Sequence, residues 1–256
     1  MEDAYFYEEV SESECVFGIL DGHGGRQISE FVAINLPKIL TENLKQNQNL
    51  EDISELLIDT FALLDEKIKQ EISSKAEECG TTCTIGVIRQ ENDQKVLYIA
   101  NVGDSKAVLY SKNIEQLTVD HRASNEEEKS RIKNAGGFVS MGRIQGELEV
   151  SRAFGDLKYK LKGVSIIPYI SKTILEQYEE NAIYNIVIAS DGLWDYVDEK
   201  LIEVYCGEKS KFEWRYCLQI KKFSQKQKIL RQHFRYGSLG QLLRMLQQYF
   251  RLIFYF

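Results

Sequence analysis

Proline is nearly absent. Only Pro37 and Pro168 occur in 256 residues, so chain reversals fall to the 17 glycines and to Asp and Asn. Long apolar runs are also missing, and no stretch could span a bilayer as a helix. The five cysteines, Cys15, Cys79, Cys83, Cys206 and Cys217, are odd in number and include no Cys-x-x-Cys pair. That pattern argues against a disulfide framework and a zinc site, and for a reduced compartment. Met1-Glu2-Asp3 is acidic where a secretory signal would be basic, so an intracellular protein, cytoplasmic and/or nuclear, is expected. Histidine is scarce: His23, His121 and His233 are the only three. What is present is ordinary for a folded protein, with 43% hydrophobic and 11% aromatic residues, which excludes wholesale disorder.

The net charge of −7 hides a division. Residues 207–256 carry eleven Lys or Arg against two Glu, a surplus of +9, and the first 206 residues hold 21 basic and 37 acidic side chains, or −16. This shift marks the expected domain boundary, with one domain over 1–206 and a basic tail over 207–256. The tail mixes basic and aromatic residues, a composition also found on nucleic-acid and membrane surfaces. It forms a broad apolar band rather than a stripe, and no nucleic-acid partner is expected of it.

Periodicity sets the coarse elements. Residues 26–43 and 51–78 read as helices, with Ile28, Phe31, Val32, Ile34, Leu36 and Leu40 on the first and Ile53, Leu56, Leu57, Ile58, Phe61, Leu64 and Ile68 on the second. Residues 82–89, 95–102 and 106–110 read as strands joined by turns at Glu91-Asn92-Asp93 and Gly103-Asp104. A short charged helix over 125–134 ends at Gly136-Gly137. A central strand is expected over 183–189 and a short helix over 198–205. A helix pair, a strand run, a helix and a strand make an α+β pattern, with sheets packed together and helices outside.

Two Asp-Gly pairs carry the chemistry. Asp21-Gly22 ends the apolar run from Cys15 to Leu20, and Asp191-Gly192 ends the run from Ile183 to Ala189. A carboxylate at the end of a buried strand is costly unless something pairs with it. Two that converge can hold hard divalent cations, and Mg²⁺ or Mn²⁺ favour such oxygen ligands. Asp21 has oxygens enough to bridge two ions, and Gly22 lets the backbone approach so that its carbonyl becomes a ligand. Asp104, in Gly103-Asp104-Ser105, reads by itself as a hairpin turn residue. His121 is expected to fix the turn at Asp120-His121, Arg152 to order loops by bidentate hydrogen bonds, Trp194 to sit in the core, and Asp156 and Asp195 to accept from turn N–H groups.

Several segments together resemble the metal-dependent protein phosphatases of the 2C type. They are Met1-Glu2-Asp3, Phe17 to Gly25, Gly80-Thr81-Thr82, Ala100 to Ser105, Leu117 to His121, Val150 to Asp156 and Ala189 to Asp195, in the family's order over roughly residues 1–205. The resemblance implies two packed antiparallel β-sheets flanked by helices, an α-β-β-α sandwich with a two-metal site at one end. It implies hydrolysis of phosphoserine and phosphothreonine in proteins by a water activated between two metals, without a Cys or Ser nucleophile. It places Glu2 beside one metal, Asp104 at a third, weaker position, and His23 as the general acid. The expected partners are phosphorylated proteins, and the expected state is a monomer.

Two elements of the family pattern are not found. The family has a strand and a phosphate-binding Arg before the Met-Glu-Asp motif, and a late Gly-x-x-Asp-Asn turn that supplies a metal carboxylate. No phosphate-binding residue is therefore assigned, Glu2 is expected at a frayed terminus, and weakened metal binding is expected. The alternative reading is a pseudophosphatase that keeps the fold and binds phosphoproteins as a regulator.

Overall fold

The computed structural model describes residues 2–111, 113–175, 185–195 and 197, and the backbone of Ile253–Tyr255. Strands built from unbroken apolar runs are buried on both faces, and that is how this chain uses them. A five-stranded antiparallel sheet runs in the order Ala4–Ser11, Glu14–Leu20, Cys83–Glu91, Gln94–Val102, Tyr169–Ile174. A second sheet runs in the order Ile253–Tyr255, Asn185–Ala189, Lys106–Tyr110, Ile114–Gln116.

Side chains alternate between two cores with the period of 2 that a strand imposes. Val16, Leu20, Ile85, Val87, Val96, Tyr98, Ala100 and Val102 point to the helical side of the first sheet. They meet Ile28, Val32, Leu36 and Leu40 of helix Gln27–Gln46, and Leu57, Phe61, Leu64 and Ile68 of helix Ser54–Glu71. Cys15, Phe17, Ile19, Ile88, Leu97 and Ile99 point the other way, onto Ala107, Leu109, Ile186 and Ile188 of the second sheet. Burying each such aliphatic side chain is worth about 1.5–3 kcal/mol. Gly86 faces Phe17 across the register, and a Cβ there would lie 2.3 Å from the Phe17 ring, so the inter-sheet core is filled by one ring where two side chains would collide.

The expected sandwich is therefore present, with one helical layer on the first sheet. The helix expected over 198–205 lies outside the described residues, as do residues 183–184 of the central strand. The first helix extends to Gln46, and its Ile34 faces solvent rather than the core. The second expected helix is two: Ser54–Glu71 stops at Ile72, which leaves the helical region at φ −136°, and a single turn follows at Ser73–Ala76. Ser73 and Ser74 are weak helix formers that readily start a new turn. The strand expected over 82–89 is Cys83–Glu91, and a separate short strand, Gly80–Thr81, precedes it. Strand Ala4–Ser11 was not expected. Its alternation is blurred because Phe6 is its only fully buried residue.

Residues 122–165 form a lobe beside the sandwich. It contains the helix Glu126–Asn134, the hairpin Val139–Ser140 with Arg143–Ile144, and the turn Leu157–Lys160. A small sheet of Phe154–Gly155, Gly80–Thr81 and Gly22–His23 stitches the lobe to the end of the sandwich.

Candidate active site

Strand Glu14–Leu20 and strand Asn185–Ala189 end at the same edge of the sandwich, and the residues that follow them are Asp21 and Ser190-Asp191. Both carboxylates line one cavity of about 380 Å³, together with His23, Thr82, Asp104, Arg143, Glu147, Leu148, Glu149 and Val150. The position of Asp21 is set by its backbone. Its N–H donates to Oγ1 of Thr82 at 3.1 Å, and its carbonyl accepts from Thr82 N at 2.9 Å. Thr82 Oγ1 in turn lies 2.7 Å from Oγ of Ser105, which ties the Asp21 corner to the Gly103-Asp104-Ser105 turn.

The electrostatics of this corner are those of carboxylates crowded together. Burial, then the nearby charges of Asp3, Asp191 and Asp104, push the Asp21 carboxyl up to about 8, and it shares a hydrogen bond with Asp191. Asp104 is pushed up to about 6 by burial, against the pull of Arg122. Carboxylates crowded together repel one another, and protonation or a cation relieves the repulsion. The donors are all oxygen, the chemistry of hard divalent ions rather than of zinc or copper. Among the described residues, no three His, Cys, Asp or Glu side chains are drawn into a ready coordination shell. Metal dependence thus fits the donor set and its charge.

Of the residues expected at a site, Asp21, His23, Asp104 and Asp191 share the cavity. Gly22 lies directly against Glu2, since a Cβ on Gly22 would lie 2.5 Å from the Glu2 carbonyl oxygen. Glu2 is not frayed. Its carbonyl accepts a hydrogen bond from Ser29 of the first helix, and its charge is felt at His23. Asp3 is the neighbour that sequence reasoning passed over. It sits in the same acidic motif, and its charge acts on Asp21 more strongly than that of Asp191.

His23 was expected as the general acid with no partner named for it, and Asp156 as an acceptor for turn N–H groups. Instead Nε2 of His23 lies 2.7 Å from Oδ2 of buried Asp156. Burial alone would lower the His23 pKa, but the hydrogen bond and charge of Asp156 outweigh it and raise the value. Gly80 makes this pair possible: a Cβ there would lie 2.2 Å from Oδ2 of Asp156 and 2.6 Å from Nε2 of His23. Arg143 was not singled out either, and the hairpin of the lobe brings it to the cavity wall. Arg152 and His121 hold their turns as expected, whereas Trp194 was expected in the core and is only half-buried, and among the described residues neither Asp156 nor Asp195 uses its carboxylate as an acceptor for a turn N–H. Arg152 donates to both oxygens of Glu128, from Nε at 3.2 Å and from a terminal nitrogen at 2.6 Å. His121 is buried in its turn, and Trp194 is half-buried with its Nε1–H on the Ala189 carbonyl at 2.9 Å. Asp195 is exposed. Among the described residues, no helix is long and apolar enough to cross a membrane.

Comparison with known proteins agrees with this geometry. The family model for Protein phosphatase 2C matches residues 1–205. Protein phosphatase 2C 1 of Paramecium tetraurelia is 35% identical over 216 residues, covering 76% of this chain and 69% of that protein. Protein phosphatase 1L of Bos taurus is 34% identical over 217 residues, covering 76% of this chain and 58% of that protein. Among solved structures, a C. elegans sex determining protein matches with a TM-score of 0.71 and 26% identity, over 83% of this chain and 53% of that one. The chain thus spans little more than half the length of the last two. It belongs to the protein phosphatase 2C family, the metal-dependent serine/threonine protein phosphatases.

Proposed function

We propose that the cavity is where this chain hydrolyses phosphoserine and phosphothreonine in proteins. In this reading Asp21, Asp191 and the Gly22 carbonyl hold two Mg²⁺ or Mn²⁺ ions, Glu2 supports one of them, and Asp104 belongs to a further, weaker position. The observation that carries it is the convergence of Asp21, Asp104 and Asp191 with His23 on one cavity, where the carboxylate charges oppose one another. A fold that buries such repulsion at a cavity mouth is organised for a cation. When bound, the ions supply charge stabilisation at the phosphoryl oxygens and lower the pKa of a water toward neutrality.

The chain's own residues do the rest. The raised pKa of His23 keeps the ring protonated closer to neutrality, as a general acid requires. Asp156 engages Nε2–H and fixes the ring, so Nδ1–H is the proton given to the departing serine or threonine oxygen. Arg143 stands on the cavity wall, where its guanidinium suits a phosphoryl oxygen. Leu148 and Val150, on the same wall, keep part of the cavity apolar.

A paired assay on a phosphothreonine peptide and an aryl phosphate, with Mn²⁺ and with or without chelator, tests this. Chelator abolishes turnover, and Asp21→Asn or Asp191→Asn lowers it by many orders of magnitude with the fold retained by circular dichroism. His23→Ala slows the peptide by about 10²-fold, the usual scale of acid catalysis, and the aryl phosphate far less, because a phenolate needs little proton help. Turnover that survives chelator or Asp21→Asn would remove the metal assignment. Equal losses on both substrates would make His23 a structural residue.

A further inference from the structure

Arg122 stands where the sandwich passes into the lobe, and it is bonded to both. On the lobe side its backbone pairs with Val150, and Ala123 N donates to the Glu149 carbonyl at 2.8 Å. A terminal nitrogen of its guanidinium donates to Oε1 of Glu149 at 3.0 Å. The other oxygen of Glu149 accepts from Arg143 at 2.6 Å, and Arg143 also donates to the Glu147 carbonyl at 2.9 Å. On the sandwich side, Nε of Arg122 lies 3.0 Å from Oδ2 of Asp104. Asp104, Arg143, Glu147, Glu149 and Val150 all line the cavity. An unbroken run of opposite charges, Asp104–Arg122–Glu149–Arg143, thus joins the acidic corner to the lobe wall.

The two ends of Arg122 are held differently. Its bond to Glu149 is an aligned hydrogen bond, whereas Nε is buried with no aligned acceptor, so the approach to Asp104 is charge attraction alone. A contact of that kind neutralises a carboxylate without locking it.

We propose that Arg122 is a built-in counter-cation for Asp104: it occupies the carboxylate in the ion-free protein, competes there with a divalent ion, and so couples occupancy of Asp104 to the anchoring of the wall at 143–150. The inference rests on the reading of Asp104 as a weaker metal position. A guanidinium and a dication cannot both sit in contact with one oxygen on the same side, so Arg122 withdraws toward Glu149 when the ion enters. By linkage, whatever loosens Arg122 from Asp104 strengthens ion binding, and ion binding weakens the Arg122–Asp104 contact by the same factor; the freed guanidinium then acts on the Glu149–Arg143 pair. Arg122 is a positioning residue in this scheme and touches no reacting atom.

The test is calorimetric titration with Mn²⁺ on the full chain, with amide hydrogen exchange at Ala123 and residues 147–150. Asp104→Asn should abolish the weaker binding step. Arg122→Gln should strengthen that step by about tenfold, within the usual range of site-to-site coupling. Arg122→Lys, which keeps the charge, should return it to within about threefold of wild type. Mn²⁺ should change exchange of the wall amides in wild type and leave it unchanged in Arg122→Gln. If Arg122→Gln does not fold, Glu149→Gln carries the test: it leaves Arg122 to Asp104 alone and should weaken the step. An unaltered weak step in Arg122→Gln or Glu149→Gln, with Asp104→Asn still defective, overturns the counter-cation and spares the Asp104 reading. Undiminished binding in Asp104→Asn overturns both.

Discussion

The sandwich and the lobe over residues 122–165 are held together by different forces. In the sandwich, rows of Ile, Leu, Val and Phe interdigitate across two continuous cores. The lobe has one small apolar cluster, Ala123, Ile132, Ile144, Val150, Ala153, Tyr159 and Val164. Beside it lies a buried ionic knot in which Glu128 accepts from Arg131 at 2.6 Å, from Arg152 at 2.6 Å and from Ser151 at 2.5 Å. Arg131 goes on to the Ser151 carbonyl, and Arg152 to that of Ile167. The acidic corner is carried by the body with the large core, and the cavity wall by the part held through charge. The carboxylates Asp21 and Asp191 thus follow strands packed in the large cores, while the wall at 143–150 belongs to the part with the small apolar cluster.

The sharpest way to break this contrast is Glu128→Gln. The substitution keeps the shape and removes the buried charge that two half-buried guanidinium groups share. Removing one partner of a fully buried ion pair costs about 3–5 kcal/mol, and the partial exposure of both arginines brings the cost here to the low end of that range. The expected outcome is loss of exchange protection across 126–165, with strands Glu14–Leu20, Cys83–Glu91 and Gln94–Val102 still protected. Loss of protection in both at once would mean that lobe and sandwich are one cooperative unit. The pH dependence has a definite sign. Burial alone would raise the Glu128 carboxyl, but the hydrogen bonds from Arg152, Arg131 and Ser151 outweigh it and hold it down at about 2. Its stabilisation is therefore complete above about 4.5, the unfolded value, and is lost as the pH falls toward 2.

The same contrast explains what could be read from the amino acids. Strands such as Lys106–Tyr110 and Gln94–Val102 announce themselves by composition and turn residues, and the Asn92-Asp93 turn takes the positive φ values of 47° and 63° that a tight hairpin needs. Asp21 and Asp191 were legible because each stands within two residues of the end of a buried strand. The His23–Asp156 pair was not, because it joins residues 133 positions apart and depends on the missing side chain of Gly80 between them. Gly80 itself was in view within Gly80-Thr81-Thr82, but a glycine in sequence does not say which two groups need its space. Arg143 and Glu149 were equally hidden. Charged residues in a lobe with few apolar positions carry no periodicity, and only the fold decides which of them face the cavity. Strand Ile253–Tyr255, paired with Asn185–Val187, arises where the residues showed an apolar band without alternation.

The smallest expected effect sits at the seam between the two regions. His121 is buried where the sandwich turns into the lobe: its N–H donates to the Gly103 carbonyl at 2.9 Å, and its carbonyl accepts from Ser151 at 2.8 Å. Its Nδ1 faces Asn101 at 3.5 Å. Burial, and then the charge of Arg152, depress the imidazole to about 4, against the opposing pull of Glu128. A histidine held neutral in the fold takes up its proton sooner when unfolded. Stability contributed here is therefore intact above about 6.5, the ordinary value, and falls as the pH drops from there to about 4. A displacement of this size amounts to about 3 kcal/mol at the low end of that window. Asp21 and Asp104, with raised pKa values, act in the opposite sense over part of the same range, so the His121 contribution has to be read by difference. Urea unfolding of wild type and His121→Asn between pH 7 and pH 4.5 does this. The variant is expected to start less stable and to lose less as the pH falls, so that the two curves converge. Curves that stay parallel would place the acid sensitivity of the seam in other groups and leave His121 as packing alone.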